Sequence, residues 1–184
     1  VELVEKSPYV VIGPGLGLDA WANSIFASVM KLESVLVVDA DGLNILAEHS
    51  RYYCGFILTP HPGEAARLLR TDTATIQRDR MTAAAELARL YGGAAVLKGR
   101  NTLIASSDSD TTVIPAGNPG MASAGMGDVL TGIIAGVLAQ TSGQKLASSA
   151  AAGAYLHACA SDLAAETGER GYIATDLLSH LTPC

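Results

Sequence analysis

The chain has 184 residues, 49% hydrophobic, 16% charged and 5% aromatic, with 19 glycines and 30 alanines. That length suits one compact domain burying roughly two thirds of its surface, and the composition excludes a disordered chain. Twelve Lys and Arg against eighteen Asp and Glu leave a net charge of −6, and the cations are scattered rather than striped. Nucleic-acid binding by phosphate neutralisation is therefore disfavoured.

Mean hydropathy is +0.29, yet charges, Gly, Ser and Thr interrupt every apolar run before the ~18 residues a membrane span needs. Small residues in a soluble core explain the value. Cys54, Cys159 and Cys184 lie far apart without CxxC or CxxH spacing, so neither a disulfide framework nor a zinc site is expected. Reducing cytoplasm is the expected compartment. The opening VELVEKSPYVVIG lacks the basic and apolar regions of a signal peptide, and it lacks an initiator Met, which suggests a processed piece or part of something longer.

In chain order, short β-branched runs alternate with segments of helical period, the pattern of a parallel sheet flanked by helices. Val10 to Ile12 reads as a strand ending in Gly13. Trp21, Ile25, Val29 and Leu32 recur at helical spacing after Asp19 as N-cap, and Val35 to Val38 is the next strand. Phe56 to Leu58 gives a third strand, stopped by Pro60 and Pro62. Met81, Ala84, Ala88 and Tyr91 mark a helix closed by Gly92 and Gly93, and Ala94 to Leu97 is the fourth strand.

Thr102 to Ala105 and Thr111 to Ile114, parted by the polar stretch Ser106 to Asp110, suggest an antiparallel hairpin on one sheet edge. Val129 to Leu138 and Leu146 to Ala165 are rich enough in Ala and Gly for their helices to pack closely. A short helix is expected near Thr175 to Leu181. No repeat or linker divides the chain.

Ligands of an open parallel sheet bind beyond the carboxyl ends of its strands, so the residues just after each strand carry the most information. GPGLG, Gly13 to Gly17, resembles a dinucleotide fingerprint but has GxGxG spacing rather than GxGxxG. It reads either as a turn needing glycine φ angles or as the floor of a ligand site. Asp39 and Asp41 straddle the second strand's end, where they serve as caps or attract a hydrated cation.

TPHPGE holds two prolines that fix a loop presenting His61 and Glu64 without paired hydrogen bonds to absorb them. Lys98 ends the apolar run AAVL, so its ammonium either reaches outward or meets an anion, for which a nucleotide phosphate is suited. In AGMGD, Ala124 to Asp128, Gly125 and Gly127 allow main-chain amides to converge where the next helix begins. That is an anion hole. Asp128 at its mouth is either a dipole-stabilised helix residue or a general base beside a transferring phosphoryl group.

Taken in order, GPGLG, DADGLN, TPHPGEAARLL, LKGRNT and NPGMASAGMGDVLTGIIAG resemble the NAD(P)H-hydrate dehydratase family, the YjeF carboxyl-terminal domain of the ribokinase-like superfamily. The likeness spans essentially the whole chain. It implies a three-layer α/β/α fold with a mostly parallel central sheet and an antiparallel edge hairpin. The implied reaction is ADP- or ATP-dependent dehydration of hydrated NADH or NADPH (NADHX, NADPHX), through a phosphorylated intermediate.

Residue by residue, the resemblance implies phosphate binding by Lys98, Gly99, Arg100, Asn101 and Thr102, with Gly125 and Gly127 at the nucleotide. Gly13, Gly15, Gly17 and His61 would line the hydrate's pocket together with Asp128, the catalytic base. Glu64 would place Mg²⁺ through water, with Asp39 from the second strand's end as a further candidate, although His61 stands at the Asn position of the superfamily's Asn-x-x-Glu motif. Ala124 stands where the family commonly has a first glycine, which narrows the freedom of that loop.

Family members begin with strands and helices before GPGLG, so residues 1–184 are expected to form a single domain lacking its N-terminal portion, with an exposed sheet edge. A homo-oligomer, and an NAD(P)HX epimerase fused upstream or separate, are expected partners. Two other readings compete. A sugar or vitamin-precursor kinase of the same superfamily would use the same anion hole and Asp128, and a non-catalytic dinucleotide-binding module would rest on GPGLG and Asp39.

Overall fold

A computed structural model describes residues 6–141 and 145–182; the sequence expectation for Cys184 lies outside them. Four parallel strands, β1 (Tyr9–Ile12), β2 (Val35–Val38), β3 (Phe56–Leu58) and β4 (Ala94–Leu97), are followed by antiparallel β5 (Thr102–Ser106) and β6 (Ser109–Ile114). They lie side by side in chain order in one six-stranded sheet. The expected hairpin is present, but its strands run further into the polar stretch, which shrinks to a turn at Ser107 and Asp108 with an irregularity between Ile104 and Ser106.

Sequential parallel strands with right-handed crossovers put all intervening helices on one face. These are α1 (Ala20–Val29), α2 (Ala40–His49), α3 (Pro62–Leu68), α4 (Thr73–Arg78) and α5 (Arg80–Tyr91). Alternate strand residues point to the two faces. Leu36, Val38, Phe56 and Leu58 pack under these helices with Phe26, Leu43, Leu46 and Leu87. Val37, Ile57 and Val96 point the other way, onto α6 (Met126–Gln140) and α7 (Leu146–Ala164). The result is a three-layer α/β/α fold, with a mostly parallel sheet and an antiparallel edge pair.

Asp19 caps α1 as expected, accepting from the Ala22 amide at 2.8 Å. The expected apolar stripe holds except at its first residue, with Ile25 and Leu32 partly buried against the core. Ala22, Phe26 and Val29 face the core, whereas Trp21 is 64% exposed. On α5 the expected Ala84, Ala88 and Tyr91 are buried, with Ala83 and Leu87 beside them, and Met81 alone of the expected four lies outside. Among the larger core residues, Ala22 on α1 and Ala84 and Ala88 on α5 are small enough to leave room for close packing against the sheet.

The same principle joins α6 to α7. A Cβ on Gly153 would fall 2.9 Å from the Ile134 Cα, so glycine lets the two helix backbones approach. The last segment, Ala174–His180, is 3₁₀ rather than α-helical. At the opposite sheet edge, β1 pairs only with β2 among the described residues, and Val11 is 41% exposed. No helix among the described residues is long and apolar enough to cross a membrane.

Candidate active site

Because β1 to β4 are parallel, the segments after them converge on one edge of the sheet. Gly13, following β1, has φ +133°, and a Cβ there would lie 1.7 Å from the Asp39 carbonyl oxygen. The backbone crossing admits only glycine. Gly15 and Gly17 also have positive φ, 66° and 80°, but face open space. The loop is tied to α2 where the Gly17 amide donates to Asp41 Oδ2 at 2.8 Å.

Asp39 occupies the N-cap position of α2, yet its side chain does not cap. The carboxylate is 1% exposed as a residue and accepts from Lys98 Nζ at 2.7 Å through Oδ1 and from the Thr131 hydroxyl at 2.9 Å through Oδ2. Burial alone would raise the Asp39 carboxyl, but the Lys98 ammonium and the hydrogen bonds from Lys98, Thr131 and the Ala40 amide hold it below the usual carboxylate range.

Lys98 thus meets an anion inside the protein. Its Nζ is also 3.8 Å from Glu64 Oε2. A Cβ on Gly127 would lie 3.3 Å from Lys98 Nζ and 3.5 Å from Asp39 Oδ2, so the pair sits against the first turn of α6. That turn begins at Gly125, left-handed at φ 84°, and its leading amides lack intrahelical acceptors. Asp128 lies in this turn and is exposed. Gly127, Lys98, Asp39 and Glu64 are brought together, with Asp128 beside them on the solvent side.

The TPHPGE segment departs from expectation. It is not an unsatisfied loop but the start of α3, closed by a capping box. His61 Nδ1 accepts from the amides of Gly63 at 3.0 Å and Glu64 at 3.4 Å, and Glu64 Oε2 accepts from the His61 amide at 2.7 Å. The prolines made the loop reading attractive, yet Pro62 at the first helical position is compatible with helix because its missing N–H has no partner there. His61 Nε2 lies 3.3 Å from Glu64 Oε1, on a side chain that is 51% exposed.

No group of three or more His, Cys, Asp or Glu side chains suited to a metal ion exists among the described residues. Asp39 is engaged by Lys98 and Thr131, and Glu64 by His61. These carboxylates do not fit a directly held Mg²⁺, and an ion carried by nucleotide phosphates would bring its own oxygen ligands.

Two residues near the ion pair have no role assigned from the sequence, although one of them, Thr131, lies within the GMGDVLTG run. Thr131 is fully buried, and its single hydroxyl proton is shared between Asp39 Oδ2 and the Gly127 carbonyl, each 2.9 Å away. Its place one turn after Gly127 is a signal that could have found it. His157 of α7 is 5% exposed, interacts with the Met126 backbone and leaves Nε2 without a partner. Burial pushes it down to about 4. No motif surrounds it in the sequence.

The three-layer fold with its mostly parallel sheet is that of ribokinase-like proteins. A hydroxyethylthiazole kinase from Pyrococcus horikoshii shares this fold with a TM-score of 0.78 at 16% identity, covering 100% of this chain and 74% of the other. The NAD(P)H-hydrate dehydratase family model matches residues 1–183, and the chain belongs to that family.

It is 51% identical over 180 residues to the bifunctional NAD(P)H-hydrate repair enzyme Nnr of Coxiella burnetii, covering 97% of this chain and 36% of that protein. It is 43% identical over 165 residues to the ADP-dependent (S)-NAD(P)H-hydrate dehydratase of Neisseria meningitidis, covering 85% and 55% respectively. The Bacillus subtilis ADP/ATP-dependent NAD(P)H-hydrate dehydratase, co-crystallized with ATP/Mg²⁺, superposes with a TM-score of 0.83 at 28% identity, covering 98% of this chain and 67% of the other. The chain therefore spans little more than a third of the bifunctional relative and about two thirds of the solved dehydratase.

Proposed function

We propose that this domain dehydrates the S-epimer of NADHX and NADPHX at the expense of ADP or ATP. The observation carrying this reading is the glycine-led start of α6, whose leading amides lack intrahelical acceptors, with the Lys98–Asp39 pair against Gly127 and Asp128 exposed in the same turn. Terminal phosphates of the nucleotide lie against Gly125, Gly127 and the Lys98 to Thr102 turn. There the free amides, the helix dipole and the ammonium favour negative charge.

Hydroxide leaves carbon badly, whereas phosphate leaves well. Asp128 takes the proton of the hydrate's hydroxyl, whose oxygen attacks the terminal phosphorus and displaces the remaining nucleotide. Phosphate then departs with the carbon–oxygen electron pair, the neighbouring carbon releases a proton, and the dihydronicotinamide double bond is restored. Gly13, Gly15, Gly17 and the half-exposed side chain of His61 border the hydrate. Asp39 fixes the Lys98 ammonium toward Gly127 rather than acting as a metal ligand, and Glu64 contributes through the α3 cap. Magnesium would enter with the nucleotide, and no step above runs through it.

The reading extends to a cytoplasmic setting, which suits the free thiols of Cys54 and Cys159. It also includes a homo-oligomer and a companion NAD(P)HX epimerase, in the same polypeptide or apart. Incubation with NADHX, Mg²⁺ and either ADP or ATP is expected to regenerate NADH absorbance. Failure to do so, alongside phosphorylation of a sugar or vitamin precursor, would replace the dehydratase with a kinase.

A further inference from the structure

Arg80 opens α5, away from every motif considered so far, and its guanidinium reaches the turn that follows β4. Nη2 donates to the carbonyls of Leu97 at 3.1 Å and Lys98 at 3.3 Å, and Nη1 donates to the carbonyl of Arg100. Contact is close enough that a Cβ on Gly99 would lie 3.0 Å from Nη2. Gly99 and Asn101 hold left-handed φ angles of 140° and 54° within the same turn.

The consequence follows from peptide geometry. No peptide is cis among the described residues, and in a planar trans peptide the N–H points opposite to the C=O. Drawing the Lys98 and Arg100 carbonyls onto Arg80 turns the amides of Gly99 and Asn101 away from it. Neither amide has a backbone or side-chain acceptor among the described residues. Arg80 thereby gathers three carbonyl dipoles, which would repel an anion, onto one cation and leaves two donors on the other side.

We infer that Arg80 is a positioning residue for nucleotide phosphate, setting the amides of the Lys98 to Thr102 turn without touching the ligand itself. The inference rests on the nucleotide role proposed for that turn. A planar fork serves three carbonyls at fixed angles, which a lysine ammonium would reproduce only in part.

The test is calorimetric titration of ADP into the wild type, Arg80→Lys and Arg80→Met, with steady-state kinetics on NADHX. ADP affinity is expected to fall about tenfold or more in Arg80→Met and by an intermediate factor in Arg80→Lys. The KM for NADHX should stay unchanged, and kcat at saturating ADP should fall less than about threefold. A general loss of structure would not produce that split. Should Arg80→Met prove unfolded, Arg80→Lys carries the test: wild-type ADP affinity in that variant overturns the role of Arg80. Equal falls in kcat and affinity overturn it too. A wild type that binds no ADP overturns the nucleotide reading along with it.

Discussion

Asp39 and Lys98 are 59 residues apart in the chain and 2.7 Å apart in the structure, joining the end of β2 to the end of β4 beneath the first turn of α6. The carboxylate is buried and the ammonium nearly so, with side chains 2% and 19% exposed. Removing one partner leaves the other charged and poorly solvated, so Lys98→Ala is expected to cost about 3 kcal/mol of stability as well as nucleotide affinity. Lys98→Ala combined with Asp39→Asn should recover part of the stability but none of the affinity. Urea unfolding and ADP titration of the single and double variants check both.

The pair also has an acid limit. Because the Asp39 carboxyl is lower in the folded chain than its ordinary 3.8, its stabilisation is complete above that value and drains away as pH falls through the folded value. Urea midpoints of the wild type should fall below about pH 4, and Asp39→Asn should flatten that part of the profile. An unchanged profile in the variant would assign the acid loss to other carboxylates.

His157 acts in a separate window. Folding holds it neutral, down at about 4 against an unfolded 6.5, and the groups facing it are the Met126 backbone and the Lys98 ammonium. The unfolded chain takes up a proton first on acidification. Stability is therefore full above 6.5, falls as pH drops from there, and has lost about 3 kcal/mol by the folded value near 4. His157→Gln should remove most of the slope in that interval, measured by urea unfolding at successive pH values.

Asp128 is exposed in the first turn of α6, where removal of a carboxylate disturbs little packing. Asp128→Asn is expected to keep ADP binding within about threefold and to lose turnover by about 10² or more, the range for a positioned base. Single-turnover regeneration of NADH absorbance separates the two effects. Wild-type turnover in Asp128→Asn would remove the residue from the chemistry.

Much of this was legible in the sequence because it depends on local pattern. The strand runs, the Asp19 cap, the edge hairpin and the glycine-led start of α6 follow from neighbouring residues. What escaped depends on distant ones. Lys98 read as a cation in search of an anion, but nothing local names Asp39 as that anion or Thr131 as its second partner. His61 and Glu64 read as a rigid loop because two prolines obscured a capping box. Arg80 and His157 stand in helices whose sequence signals only packing, and three dimensions alone bring them under the site.

Gly13 and Gly15 occupy the same loop, both with positive φ, and separate the two readings of GPGLG. At Gly13 a methyl group would collide with the Asp39 carbonyl at 1.7 Å, whereas at Gly15 nothing lies within 4 Å. Gly15→Ala should therefore cost about 1 kcal/mol, the penalty of a left-handed alanine. Gly13→Ala must also move the β2 end, and is expected to cost about 3 kcal/mol or more and to weaken ADP binding by displacing Asp39 from Lys98. If the loop is also a floor for the hydrate, Gly15→Ala raises the KM for NADHX while leaving ADP affinity alone. If it is only a turn, that KM stays at the wild-type value while stability falls by the same small amount.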